Sequence, residues 1–311
     1  MKSALALCSL ALNPSAPSPT ASMVKLEDGF MVAFGGTFCI RVPVEVDIKA
    51  CFSPSKAAVF FRKPRKVVSY TLQKNKLVLK EGKEKLSIPY LDADEMATLD
   101  VLGQATPCEL DMGLLKLCAD VIDPESPRPW AQGVSFRNGV MESTNSVIIV
   151  SAVSGVDEDL EFNLPLETCK AIVKFTSPVT GVSSDGRMVK VFFADGSSLT
   201  SLCIAEQMID TSNLFKDKWT DCGLVKNLAD DLHAIQCEKF RFEDGCVTYI
   251  GDDMEGVLGE VFIGKCSFLI SKKNIDFATR VGQDIRLSSC GSRIMSVSEN
   301  CRVIAATRVN V

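Results

Sequence analysis

The chain has 311 residues, with 34 Lys+Arg against 39 Asp+Glu. Its net charge of −5 excludes a uniformly basic nucleic-acid binder but leaves room for a local basic surface. Hydrophobic residues at 46% with 23% charged residues place it among ordinary globular proteins. A single histidine, His233, leaves little for histidine chemistry and is expected to be structural; thirteen cysteines with no C-x-x-C spacing fit buried thiols in a reducing compartment.

The sequence repeats itself. Leu115–Val150 restates Leu5–Ile40 at a constant offset of 110 without a gap: Leu5, Leu7 and Cys8 meet Leu115, Leu117 and Cys118. Pro14, Pro17 and Pro19 meet Pro124, Pro127 and Pro129, and Gly29-Phe30-Met31 meets Gly139-Val140-Met141. A fainter copy of the turn, Phe240-Arg241-Phe242-Glu243-Asp244-Gly245, follows 106 residues later. Such periodicity takes precedence over other signals. It divides the chain into three units, 1–103, 104–215 and 216–311, each large enough for its own core.

In chain order, each unit is expected to open with a helix. The first covers about 2–12 and stops at Asn13-Pro14. The second covers about 110–122, with Asp111 as N-cap and Asp123-Pro124 as stop, and the third about 221–235. Lys2 and the apolar run to Leu12 resemble a short signal peptide, yet the run aligns with a mid-chain segment and is expected to be that first helix. No stretch approaches the roughly 18 apolar residues of a membrane span.

A hairpin follows in each unit, turning at Asp28-Gly29, Asn138-Gly139 or Asp244-Gly245, dipeptides that accept the positive φ of tight turns. A second helix comes next. Ser53 and Pro54 start the first copy, Pro165 the second, and Ser271 caps the third. A closing hairpin turns at Glu81-Gly82, Asp195-Gly196 or Cys290-Gly291. The fold class is therefore α+β: three repeated units, each with two helices and antiparallel strands.

Catalytic patterns are missing from the sequence. It has no phosphate-cradling G-x-x-x-x-G-K loop and no histidine-centred triad. Acidic clusters at Asp92–Glu95, Asp157–Glu161 and Asp252–Glu255 read as solvated loops rather than cation sites. No enzymatic activity, metal or cofactor is expected. The second helices are more informative, because they are basic in an acidic protein. Lys56, Arg62 and Lys63, followed by Arg65 and Lys66, mark the first; Lys170 and Lys174 mark the second; Lys272, Lys273 and Arg280 mark the third. Lys116 on the opening helix of unit two and Arg128 on its proline-rich loop add to this set. Such a surface suits a phosphate backbone read without regard to sequence.

Arg128-Pro129-Trp130-Ala131-Gln132-Gly133-Val134-Ser135-Phe136, followed by Ser143-Thr144-Asn145, resembles the start of the second domain of the bacterial and phage-type sliding clamps that tether replicative DNA polymerase. Ser201–Asp210 is similar to the end of that domain, and Arg302–Val309 to the final strand. The resemblance implies three DNA-clamp units per chain and a closed ring formed by a head-to-tail homodimer. Helices would line a hole that holds double-stranded DNA, and ATP would belong to a clamp loader. It also implies a pocket for peptide tails of the DNA polymerase and the clamp loader. By position this pocket would use Ala131, Thr144, Val147, Ile148 and Ile149, with Ala305, Ala306 and Arg308.

Two departures stand out. Asn145-Ser146-Val147-Ile148 replaces the family's Asp-Gly-His-Arg type of run, and Ala306-Thr307 replaces Met-Pro before the terminal arginine. They suggest a clamp serving its own polymerase, in a bacterial cytoplasm or nucleoid or encoded by a virus, with no membrane involvement. A clamp-like scaffold or decoy that binds partner peptides without encircling DNA is the alternative, followed by a secreted β-rich binding protein.

Overall fold

A computed structural model describes residues 1–63, 67–99, 103–206, 208, 210–216, 219–222, 232, 234–243, 246–251, 255–260, 268–280, 284–288 and 293–309. The first repeat contains α1 (Lys2–Cys8), β1 (Val24–Glu27), β2 (Phe30–Phe34), β3 (Phe38–Pro43), β4 (Ala50–Phe52), α2 (Pro54–Phe60), β5 (Ser69–Gln73), β6 (Lys76–Glu81) and β7 (Glu84–Leu91). The second contains β8 (Thr106–Pro107), α3 (Met112–Val121), β9 (Gly133–Arg137), β10 (Val140–Thr144), β11 (Ile148–Val153), β12 (Phe162–Pro165), α4 (Leu166–Ile172), β13 (Val179–Ser184), β14 (Met188–Phe193) and β15 (Ser198–Leu202). The third contains α5 (Ser212–Phe215), β16 (Trp219–Cys222), β17 (Lys239–Glu243), β18 (Cys246–Ile250), β19 (Glu255–Glu260), β20 (Phe268–Ser271), α6 (Lys272–Thr279), β21 (Asp284–Ser288), β22 (Arg293–Val297), β23 (Cys301–Ala306) and β24 (Arg308–Val309).

The chain forms two compact units. One comprises 1–116, 136–139 and 154–205; the other comprises 117–135, 140–153 and 206–311. The first holds an eleven-stranded sheet in the order β5-β6-β7-β4-β1-β2-β3-β15-β14-β13-β8. The second holds the run β10-β11-β23-β22-β21-β16 of an eight-stranded sheet, and a five-stranded sheet in the order β19-β18-β17-β20-β24. The recorded pairings are all antiparallel, as hairpin-rich sequence predicts.

Local chemistry explains the elements. Asp28 and Gly29 (φ 51 and 77) and Asn138 and Gly139 (φ 52 and 72) adopt the paired positive angles that a two-residue hairpin turn demands. In β14, Val189, Val191 and Phe193 alternate into the core while Met188, Lys190 and Phe192 stay half-buried. Asp111 caps α3 as expected: one carboxylate oxygen accepts from the Gly113 and Leu114 N–H groups at 2.7 and 3.0 Å. The repeat extends to a weak sulfur contact. The Cys8 thiol donates to the Met31 carbonyl at 3.6 Å, and Cys118 makes the same bond to Met141 at 4.0 Å. Burial pushes the Cys8 thiol far above its ordinary pKa.

Several expectations need correction. The first helix ends at Cys8 and tightens into a 3-10 turn over Ser9–Ala11, because Pro14 leaves no room for a longer run. Ser53 does not cap α2 through its side chain; its hydroxyl lies 3.0 Å from that of Ser55. Residues 221–222 belong to strand β16 rather than a helix. Most of the expected 221–235 helix, His233, the turns at 244–245 and 290–291, residues 252–254 of the third acidic cluster, and Arg65 with Lys66 lie outside the described residues. Among the described residues, no helix is long and apolar enough to cross a membrane.

Candidate functional site

Three helices, α2, α4 and α6, begin at residues 54, 166 and 272. Counting eight residues from each start (62 − 54, 174 − 166, 280 − 272) reaches Arg62, Lys174 and Arg280. Each is exposed and sits just past the last helical turn. A cation at a helix C-terminus also meets the negative end of the helix dipole, so each position is locally favourable. Sequence reading picked out these residues but not their equivalence; aligning the helix starts supplies it.

The other basic residues divide into two kinds. Lys56, Lys63, Lys116, Lys170 and Lys273 are exposed, with Lys170 held by Glu167 at 2.8 Å. Arg62 and Lys63 lie in the turn after α2 rather than on the helix, which ends at Phe60. Arg128 precedes a 3-10 turn at Pro129–Gln132 and lies 5.7 Å from the Trp130 ring centroid. Lys272 differs. Its ammonium donates to the Leu232 carbonyl at 2.6 Å and to Asp276, and its side chain is only 17% exposed. It ties α6 to residue 232.

The residues of the expected peptide pocket come together in part. Strands β10, β11 and β23 are neighbours, with Thr144 opposite Ile149, Ile149 opposite Ile304 and Ile148 opposite Ala305. The Ala306 N–H donates to the Val147 carbonyl at 2.9 Å. Alternation then separates the set: Ile149 lies on one face of the sheet with Thr144, and Ile148 lies on the other with Ala305. Ala131, Thr144, Ile148 and Ala305 are buried, whereas Val147 and Ala306 are exposed and Ile149 is half-buried. Backbone pairing of Arg308 with Leu269 places the last strand beside β20.

The segment between β10 and β11 is tightly specified. The Asn145 side chain accepts from the Val147 and Ile148 N–H groups at 3.0 and 2.7 Å, and Ser146 takes φ 74. Thr144 donates its hydroxyl to the Ile148 carbonyl at 2.7 Å. On the helix side of this loop, a cleft of about 600 Å³ is lined by the end of α3, by Asn145, Val147 and Ile148, and by Lys273, Asn274 and Phe277 of α6. Sequence reading missed this cleft, because its two sides are more than a hundred residues apart. Among the described residues, no group of three His, Cys, Asp or Glu is placed to hold a metal ion.

No protein-family model and no curated protein sequence matches the chain. Solved structures do. The Helicobacter pylori β clamp bound to a DNA ligase peptide superposes with a TM-score of 0.82 at 13% identity, over 99% of this chain and 97% of that one. The Pseudomonas aeruginosa DnaN sliding clamp bound to griselimycin gives 0.80 at 12% identity, over 100% and 97%. The Thermotoga maritima DNA polymerase III β subunit gives 0.78 at 16%, also over 100% and 97%. The class is thus a repeated α+β clamp architecture. Across its whole length the chain has the fold of the bacterial DNA polymerase III β subunits.

Proposed function

We propose that this chain is a DNA sliding clamp, a processivity factor without chemistry of its own. Its three units, 1–103, 104–215 and 216–311, would close a ring as a head-to-tail homodimer around double-stranded DNA. The ring would tether the replicative DNA polymerase after a clamp loader has placed it. The observation that carries this reading is the exposed cation eight residues on from the start of each second helix, just past its end, at Arg62, Lys174 and Arg280, on a chain with the β-clamp fold end to end. Contacts of that kind meet phosphates and ignore base sequence, which a sliding ring requires.

Open sheet edges support the head-to-tail contact. Strand β5 ends the eleven-strand order and β19 ends the five-strand order, and Leu72 and Val257 on these strands are 37% and 69% exposed. Edge strands with exposed apolar side chains are ready to pair with another chain. The H. pylori clamp carries a DNA ligase peptide; here the tails of a polymerase and a loader are the proposed partners, and the bacterial cytoplasm the proposed place of work.

Loading on nicked circular DNA tests the reading. The protein is expected to co-migrate with the circle in a gel-filtration column and to fall off when a restriction enzyme linearises it. Retention on linear DNA would rule out topological tethering. A persistent monomer at micromolar concentration would favour a partner-binding scaffold.

A further inference from the structure

Strands β5, β6 and β7 end the eleven-stranded sheet, and their register sorts their side chains onto two faces. One face carries the buried Leu77, Leu79 and Ile88 and is turned toward α2, which packs against β7. The other face holds Lys76 and Lys80 of β6 and Lys85 of β7, with Ser69, Thr71 and Ser87 beside them, all exposed. Glu81 and Glu84 pair with each other on the α2 side, so no carboxylate of these strands falls on the lysine face. In a chain of net charge −5, this is a basic surface without acid.

Lys80 and Lys85 stand directly opposite each other, an arrangement of like charges that costs stability. Among the described residues, none of the three lysines is in an ion pair. Lys76 and Lys80 lie four residues apart on one strand, about 13 Å at roughly 3.4 Å per residue, so no single small anion spans them. The second repeat uses the same hairpin differently. The outward positions of β14 are Met188, Lys190 and Phe192, and the Lys190 ammonium lies over the Phe192 ring at 5.4 Å. The basic face is therefore particular to the first repeat and does not follow from the repeat itself.

We propose that this face binds an extended acidic segment of a partner protein, whose Asp or Glu side chains meet Lys76, Lys80 and Lys85. Complementary charge selects the partner, and the hydroxyls of Ser69, Thr71 and Ser87 can donate to the same carboxylates. Two observations separate the face from DNA binding. It is turned away from α2, the helix beside which the first repeat's DNA contact is proposed, and it presents no aromatic ring on which a base could stack. The side chains rise from the sheet rather than from its rim, so the open edge of β5 stays free for the head-to-tail contact. The inference goes beyond the clamp reading, and its test uses no DNA circle, so the two can fail separately.

The probe is a fluorescein-labelled decapeptide of alternating Glu and Ser, titrated with the purified full chain at low salt and followed by fluorescence anisotropy. A Lys-Ser decapeptide is the control. The Glu-Ser peptide is expected to bind and the Lys-Ser peptide not. Lys76→Glu, Lys80→Glu and Lys85→Glu in one chain should weaken Glu-Ser binding about tenfold or more and make the Lys-Ser peptide the better ligand. Thermal melting reports whether that variant folds; the corresponding triple Gln variant, which carries no new charge, should weaken binding without the exchange of preference. Reversing the equally exposed Lys2, Lys216 and Lys239 should leave the affinity unchanged. Absence of Glu-Ser binding, or an equal loss in the two reversed variants, would overturn the proposal. Displacement of the peptide by an equal concentration of duplex DNA would assign the face to nucleic acid instead, and a lowered oligomer mass in the triple Gln variant would assign it to a contact between copies; either result also overturns it.

Discussion

Helices α4 and α6 occupy the same place in consecutive repeats, yet their charges are arranged differently. Position by position, Glu167 answers to Lys273, Lys170 to Asp276 and Lys174 to Arg280. Within α4, Lys170 pairs with Glu167 on an exposed surface; within α6, Asp276 pairs with Lys272 at a half-buried one. Only the cation past the helix end keeps its sign, and α2 has it too, in Arg62. A surface of the kind proposed, which would meet DNA without reading bases, needs a recurring cation more than it needs a fixed constellation. The interior of each helix is then free to serve local packing.

The strongest way to break this contrast is to remove the recurring cations together. Arg62→Ala, Lys174→Ala and Arg280→Ala in one chain should weaken association with duplex DNA on the order of tenfold or more at low salt. If each meets one phosphate, the slope of log K against log salt should fall by about 0.9 per residue removed. The oligomer mass should stay unchanged. An unaltered salt slope would show that these positions serve the helix dipole alone.

A smaller effect, on a different readout, should follow from the helix interiors. Lys272→Ala leaves the Leu232 carbonyl and Asp276 without their shared donor, and should cost about 1–2 kcal/mol of stability in urea denaturation with no change in DNA affinity. Lys170→Ala removes an exposed pair and should cost less than about 0.5 kcal/mol. Should Lys272→Ala weaken DNA binding at full stability, the division drawn between the two lysines is wrong.

How much of this was legible in the sequence follows from which signals are local. The hairpin turns at 28–29 and 138–139 and the Asp111 cap are set by a few adjacent residues, and they stand where sequence places them. The exact repeat of Cys8 and Met31 in Cys118 and Met141 carries a non-local contact along with it. Charge alone was a weaker guide. It grouped Lys272 with Lys273, although one ammonium is turned onto Leu232 and the other is exposed, because sequence does not say where a flexible side chain finds its acceptor. The family resemblance likewise grouped Ile148 with Ile149, which strand alternation sends to opposite faces. The cleft beside Asn145 was not legible, because its two sides, residues 120–148 and 273–277, lie far apart in the chain.

A pH-dependent effect concerns the first strand of each hairpin, where the repeats diverge again. Lys25 of β1 is 6% exposed and pairs with Glu27 at 2.7 Å, whereas the equivalent places in the second repeat hold Ser135 and Arg137. The hydrogen bond from Lys25 holds the Glu27 carboxyl below its ordinary pKa, with Lys49 adding to the attraction. A carboxyl depressed by folding stabilises the protein above its unfolded value, and that contribution is lost as pH falls through the folded one. Glu27→Gln should therefore cost about 1 kcal/mol near neutral pH, a modest figure because water reaches part of the pair, and almost nothing below the glutamate range. Urea denaturation of both proteins at the two pH values decides the matter. A cost that persists in acid would mean that Glu27 acts by packing in β1, and that the first repeat differs from the second in shape rather than in charge.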